Sequence, residues 1–238
     1  MRPIGKPKPG CEKRFMELYE ILFKGNYPKP TFWDRLFGRK HPPLNKLLDE
    51  MHKIQISPFE TVKAPLMGRD KEANELAKEI YHKKFDNSEK KPTFKEFLKS
   101  MKEYYVMSLA KELDGVPVYY SREWDRLSFR GKIFRDCADL IGEDLVNEAW
   151  ETKTADETLD YGNRLMAVAE ATAKEYDMEY LKDQRMPPGK DDEEPSEATD
   201  PSEGTADLSV EEQLHVVFSL AKWLIFYGKN GHGYLTGC

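Results

Sequence analysis

The stretch from Ser209 to Tyr227 constrains this chain more than any other, because it is the most apolar segment of the sequence. It opens with Ser209 and has Glu212 three residues on, the pairing of a capping box, in which each side chain satisfies the other residue's backbone N–H. Gly228 follows as a residue able to take positive φ and end the helix. Val210, Leu214, Val217, Phe218, Ala221, Leu224 and Ile225 recur at helical spacing along one face. Val216, Leu220 and Trp223 carry apolar surface around the sides. A helix of this kind has to be covered, either by the body of its own chain or by another chain.

The rest of the chain is long enough to do the covering. Its 238 residues suffice for one sizeable core or two small ones. A charged fraction of 34% against a hydrophobic fraction of 39% describes a heavily solvated surface. The net charge of −6 is unevenly spread: residues 1–40 hold ten Lys/Arg and four acidic side chains, while residues 187–212 hold ten acidic side chains and only Lys190. Such opposed blocks are either plain solvation or surfaces for partners.

Three cysteines, Cys11, Cys137 and Cys238, are widely spaced and form no CxxC pair, which excludes a sequence-level zinc finger or thioredoxin-like motif. The first residues carry charge but no apolar run of signal-peptide type. The longest apolar run, Val216 to Tyr227, falls short of the roughly 20 residues needed to span a bilayer, and Lys222 interrupts it. A reducing, cytoplasmic setting, or a particle assembled inside the cell, is the expected location.

Taken in order, Met1 to Gly10 is a basic arm spaced by Pro3, Pro7 and Pro9, extended and without a fold of its own. Helices are predicted over Glu12–Lys24 (stopped by Gly25), Pro43–Ile54, Arg69–Phe85 and from Thr93 to about Leu113. Pro58 to Gly68 reads as a loop. Val116 to Tyr120 is the one β-like run, and Pro117 assigns it to an extended or edge segment. Helices follow from Ser121 to Ile141, from Glu143 to Glu151 and, behind the capping box of Thr154 and Glu157, to about Lys182. From residue 186 to 208 apolar residues nearly vanish, giving an acidic flexible linker. The expected layout is a basic arm (1–10), a helical body (11–185), the linker (186–208), and a tethered C-terminal helix with a Gly-rich tail (209–238). The fold class is mainly α: a multi-helix bundle with one short extended segment.

Four features bear on chemistry. Phe32, Trp33 and Phe37 lie in a short aromatic run followed by Arg39 and Lys40, and together with Phe218, Trp223 and Phe226 of the last helix they are the candidate partner-binding residues. Arg122, Arg126 and Arg130 recur every four residues with Trp124 and Phe129 between them, a stripe that would track phosphates unless Glu123 and Asp125 neutralise it. The Gly-rich run Gly228 to Gly233 follows a helix and precedes none, so it lacks the context of a phosphate-binding loop and reads as a helix stop with a mobile tail.

The fourth is a possible di-metal set. Glu79 and His82, and again Glu212 and His215, form Glu-x-x-His pairs, with Glu50 upstream of the first and Glu179 (or Glu175) upstream of the second. That order resembles the ferritin-like di-iron oxidases and ribonucleotide reductase small subunits, and the resemblance implies a di-iron cofactor in a bundle core. It covers six residues. At 100° per residue, both pairs point away from the apolar stripes of their helices, where a core metal would lie.

The reading that accounts for most of the chain is a non-catalytic helical interaction or assembly protein. It would be a subunit or adaptor of a larger complex, such as a virion or another multi-subunit machine, docking through its terminal segments onto other protein subunits. The alternatives are a di-iron carboxylate oxidase-like enzyme and a nucleic-acid-binding protein acting through the arginine stripe.

Overall fold

The computed structural model describes residues 1–29, 42–85, 91–101, 104–106, 109–110, 128–129, 131–184, 188 and 208–236. Among these residues lie nine α-helices and two short antiparallel strand pairs, a mainly α multi-helix fold. In chain order they are β1 (Arg2–Pro3), β2 (Lys6–Pro7), α1 (Glu12–Lys24), α2 (Leu44–Ile54), β3 (Gln55–Ile56) and α3 (Pro58–Val62). Then come α4 (Lys71–Phe85), α5 (Phe94–Ser100), a 3-10 turn (Gly131–Cys137), α6 (Ala138–Ile141) and α7 (Glu143–Glu148). The chain closes with α8 (Ala155–Glu175), a second 3-10 turn (Glu179–Lys182), α9 (Val210–Lys229) and β4 (Tyr234–Leu235).

The fold is built around α8 and α9. Both start at the capping boxes expected of them: Glu157 accepts the Thr154 N–H at 2.7 Å, and Glu212 accepts the Ser209 N–H at 2.9 Å. The helices run antiparallel, with Gly162 against Leu224 and Ile225 and Gly228 against Leu159. A Cβ at Gly162 would stand 2.9 Å from that of Leu224, and one at Gly228 would stand 2.7 Å from the backbone nitrogen of Leu159. Two glycines facing opposite helices let the axes approach more closely than side chains on both would permit.

This contact settles what covers the last helix. Its body does: Leu214, Val216, Val217, Phe218, Leu220, Trp223, Leu224 and Tyr227 are all buried, and so are the polar His215 and Ser219. They form one cluster with Tyr161, Leu165, Ala169 and Ala173 of α8, with Phe134 and Cys137 of the 3-10 turn, and with Ile141 and Val146. α9 is apolar nearly all round because it is wrapped nearly all round. Two smaller clusters stand beside this one. Ala73, Ala77 and Tyr81 of α4 pack with Phe97 of α5 and with Met67 and Val106. Phe15, Leu18 and Tyr19 of α1 pack with Leu47 and Met51 of α2 and with Ile4.

Several expectations about local structure are corrected. The residues of the basic arm are extended but not free: Arg2 and Pro3 pair with Leu235 and Tyr234, and Lys6 and Pro7 pair with Ile56 and Gln55. The Met1 amine donates to the Phe129 carbonyl, and the Phe129 N–H donates back to that of Met1, both at 2.8 Å. The Gly-rich tail is likewise fixed, with Tyr234 wholly buried and exchanging backbone hydrogen bonds with Lys153. Gly233 is there because a Cβ would fall 2.1 Å from the Lys153 carbonyl oxygen.

The helix expected from Thr93 to about Leu113 ends at Ser100. Residues 104–106 turn instead to the loop before α4, where the Met67 N–H donates to Tyr104 and the Val106 N–H donates to Pro65, burying Val106. The helix from Thr154 ends at Glu175, not near Lys182: Asp177 takes φ 56° and the Met178 N–H reaches back to the Ala173 carbonyl, closing the end without a glycine. Residues 58–62, expected as loop, form the short helix α3 behind a capping box of Ser57 and Glu60. The β-like run 116–120 and the linker, apart from Pro188 and Leu208, lie outside the described residues.

Candidate interaction groove

Where β1, α1, α2, α3 and β4 meet, the chain leaves a half-open groove of about 400 Å3. Its apolar lining comes from Phe23 of α1, Leu48 and Met51 of α2, Pro58 and Phe59 of α3, and Leu235 of β4. Arg2, His52 and Gln55 supply the polar rim. Volume and lining fall in the range of small-ligand and peptide-anchor sites, roughly 300–1,000 Å3. No acidic side chain among the described residues forms an ion pair with Arg2 or His52. Lys8 adds to the positive side, its ammonium donating to the Lys53 carbonyl at 2.8 Å beside the end of α2. On α2, Glu50 is taken by the Arg14 guanidinium at 2.7 and 2.9 Å, and that pairing holds it below the usual carboxylate range.

One wall of the groove is riveted by His232. The ring is fully buried, with Nδ1 2.8 Å from the Ile4 carbonyl and Nε2 2.7 Å from Thr61 Oγ1. A carbonyl can only accept, so Nδ1 carries the proton; a neutral ring then has a bare Nε2, which accepts from the Thr61 hydroxyl. Burial pushes the imidazole down to about 4, against the smaller opposing effect of the Ile4 carbonyl, with Lys6 adding to the depression. The ring edge of Tyr227 closes the remaining side at 6.1 Å between centroids.

The candidate residues read from the sequence are placed apart. Phe218 and Trp223 are 1% and 3% exposed inside the main core, so they form no surface for a partner, and Phe226 is half-buried. Phe32, Trp33 and Phe37, and the stripe of Arg122, Arg126 and Arg130, lie outside the described residues.

The six di-metal candidates do not converge. Glu50 is committed to Arg14, and Glu212 to the Ser209 cap. His215 is buried with Nε2 3.1 Å from the Gln184 carbonyl, so that nitrogen is a donor, and burial lowers the pKa of the ring. Glu79, His82 and Glu179 are on exposed faces. Among the described residues no three His, Cys, Asp or Glu side chains are grouped to hold a metal. Helical phase places both ExxH pairs opposite an apolar stripe; Glu79 and His82 are exposed there, whereas His215 is buried because α9 is enclosed nearly all round.

Cys137 is the inert core thiol its position suggests, pushed up to about 12 by burial, with Asp136 adding to the rise. No helix among the described residues is long and apolar enough to cross a membrane. No protein-family model matches the chain, and no curated protein or solved structure is significantly similar to it.

The groove and the His232 rivet escape a sequence reading because their parts are scattered. Ile4, Thr61 and His232 are brought together across 171 and 228 residues of sequence separation. Only the amphipathic pattern of α2, whose Leu48 leans off its buried stripe of Leu47 and Met51, hints at a second apolar face.

Proposed function

We propose that this chain is a non-catalytic interaction protein, a subunit or adaptor of a larger protein complex. It receives in the groove between α1, α2, α3 and β4 a partner segment that sets apolar side chains beside carboxylates. The observation that supports this reading is the lining itself: eight apolar side chains, Pro3 and Ile4 among them, below a rim bearing Arg2 and His52. The apolar floor provides affinity, and the Arg2 guanidinium on the rim selects acidic neighbours. A short extended segment suits the groove better than a whole helix, since β1 and β4 on one side are two-residue strands and α3 is a five-residue helix.

The test uses the full chain and short fluorescent peptides that join two Leu or Phe anchors to Asp and Glu, each with a counterpart carrying Lys in place of the acids. Acidic peptides should give saturable anisotropy and basic counterparts little. Leu48→Glu, at a half-buried position of the floor, should weaken binding by about tenfold or more. Equal binding of both peptide sets, or no response to Leu48→Glu in a variant with a native circular dichroism spectrum, overturns the proposal.

A further inference from the structure

The groove walls are not independent of one another. Ile4, directly after β1, and Leu235 of its partner strand β4 line it from the paired termini, and Phe59 lines it from α3. His232, three residues before Leu235, bonds to the Ile4 carbonyl on one side and to Thr61 of α3 on the other. A single imidazole therefore joins three walls. The backbone N–H of His232 donates to the Tyr227 carbonyl in the last turn of α9, which ties the same point to the main core.

We propose that His232 is an acid-sensitive latch that keeps the groove assembled while its ring is neutral and releases the terminal strands when the ring takes a second proton. The functional consequence rests on the docking reading above; the latch itself does not. Protonation at Nε2 turns the acceptor of the Thr61 hydroxyl into a donor and puts two like-directed hydrogens face to face until the hydroxyl turns. It also places a full charge in a pocket whose neighbours offer little to balance it.

The neighbours on each packed element bear this out. β2 presents Lys6, whose side chain also lies against Gly231 and whose charge opposes a second one on the ring. α3 presents Thr61, while its Glu60 is folded back onto the Ser57 N–H at 3.1 Å and Lys63 is exposed at its end. α9 presents the edge of Tyr227, with Lys229 exposed in its last turn. On the far side of β4, the Lys153 ammonium is held by Glu148 and Glu151. No carboxylate among the described residues hydrogen-bonds the ring.

The direction follows from linkage. The clamped ring titrates at about 4 and a released one near its ordinary 6.5, so between those values the open form takes up the proton first. Lowering the pH through that window favours opening, and raising it restores the latch. From pH 7 to pH 4 the opening equilibrium should shift by about a hundredfold.

The experiment is residue-resolved amide hydrogen exchange on the full chain at pH values from 7 to 4, with protection corrected for the intrinsic rate. The reporters are the N–H groups of Ile4, His232 and Tyr234, which are bonded to Gly233, Tyr227 and Lys153. Their protection should fall about a hundredfold while that of the buried turns of α8 and α9 stays high. His232→Gln should flatten this response. If that variant does not fold, Thr61→Val, which removes the donor to Nε2, should lower reporter protection at pH 7 by about tenfold and leave the core unchanged.

Reporter protection that persists to pH 4, or that is lost only together with α8 and α9, overturns the latch. So does an unchanged response in a folded His232→Gln chain. Peptide anisotropy on the same samples separates the two readings. Failure to bind at pH 7 removes the docking assignment and leaves the latch to the exchange data, whereas binding at pH 7 with no loss on acid release of the strands removes the coupling between them.

Discussion

Gly228 sits where a methyl group has no room. A Cβ there would lie 2.7–2.8 Å from the backbone of Leu159. Alanine would gain about 1 kcal/mol of helix propensity, but backbone cannot give way as a side-chain tip can, and overpacking of this kind costs about 1–3 kcal/mol or more. Gly228→Ala should therefore lower stability by about 1–2 kcal/mol, read in calorimetry as a melting temperature several degrees lower. An equal or raised melting temperature would mean that α8 and α9 can separate freely. The sequence assigns this glycine to a helix stop, and the assignment misses because glycine serves a left-handed cap and a close crossing equally well. The helix in fact runs to Lys229, where Asn230 Nδ2 donates to the Phe226 carbonyl at 2.8 Å and Gly231 takes φ 81°.

Among the elements, α7 and α8 are joined through Glu148. Its carboxylate accepts from Arg164 Nη1 at 2.8 Å and from Lys153 Nζ at 3.0 Å, and the Lys153 side chain is only 8% exposed. The Arg164 hydrogen bond, more than Lys153, holds this carboxyl below the usual glutamate range. Its stabilisation is therefore complete above the ordinary carboxylate pKa and is lost as the pH falls through the depressed value. Glu148→Gln leaves the buried ammonium with Glu151, which is 69% exposed. We expect a loss of about 1–3 kcal/mol at neutral pH, and a gap to the parent chain that narrows in acid. Urea denaturation at pH 7 and pH 3 checks both; a gap that widens in acid contradicts the assignment.

Capping chemistry is the part of these elements most plainly written in the sequence. Thr93, Thr154 and Ser209 all cap as their partners three residues on require. The same signal at Ser57 and Glu60 is present and is masked by the prolines around it, although Pro58 at the first helical position favours the helix. Where helices stop is less legible. The chain leaves the helix after Ser100 because residues 104–106 find backbone partners beside Met67, a contact that no local pattern announces.

For the whole molecule, the decisive fact is that α9 is core. Eight large apolar side chains of this helix are buried, a gross contribution on the order of 10–20 kcal/mol, which matches or exceeds the net stability of most domains at about 5–15 kcal/mol. A chain ending at Asp207 should therefore lose cooperative unfolding and bind hydrophobic dyes, as judged by thermal circular dichroism and dye fluorescence. A truncated chain that still melts cooperatively would show that the remaining helices close a core by themselves.

The helical class, most helix starts, the low strand content and the need to bury the last helix all follow from local pattern. Spacing, caps and breakers act within a few residues and need no knowledge of the rest of the chain. Which surface covers that helix, how the two terminal segments pair, and how Ile4, Thr61 and His232 come to share one buried imidazole were decided by tertiary packing. Those contacts join residues far apart in sequence, so their energies exist only once the chain has closed on itself.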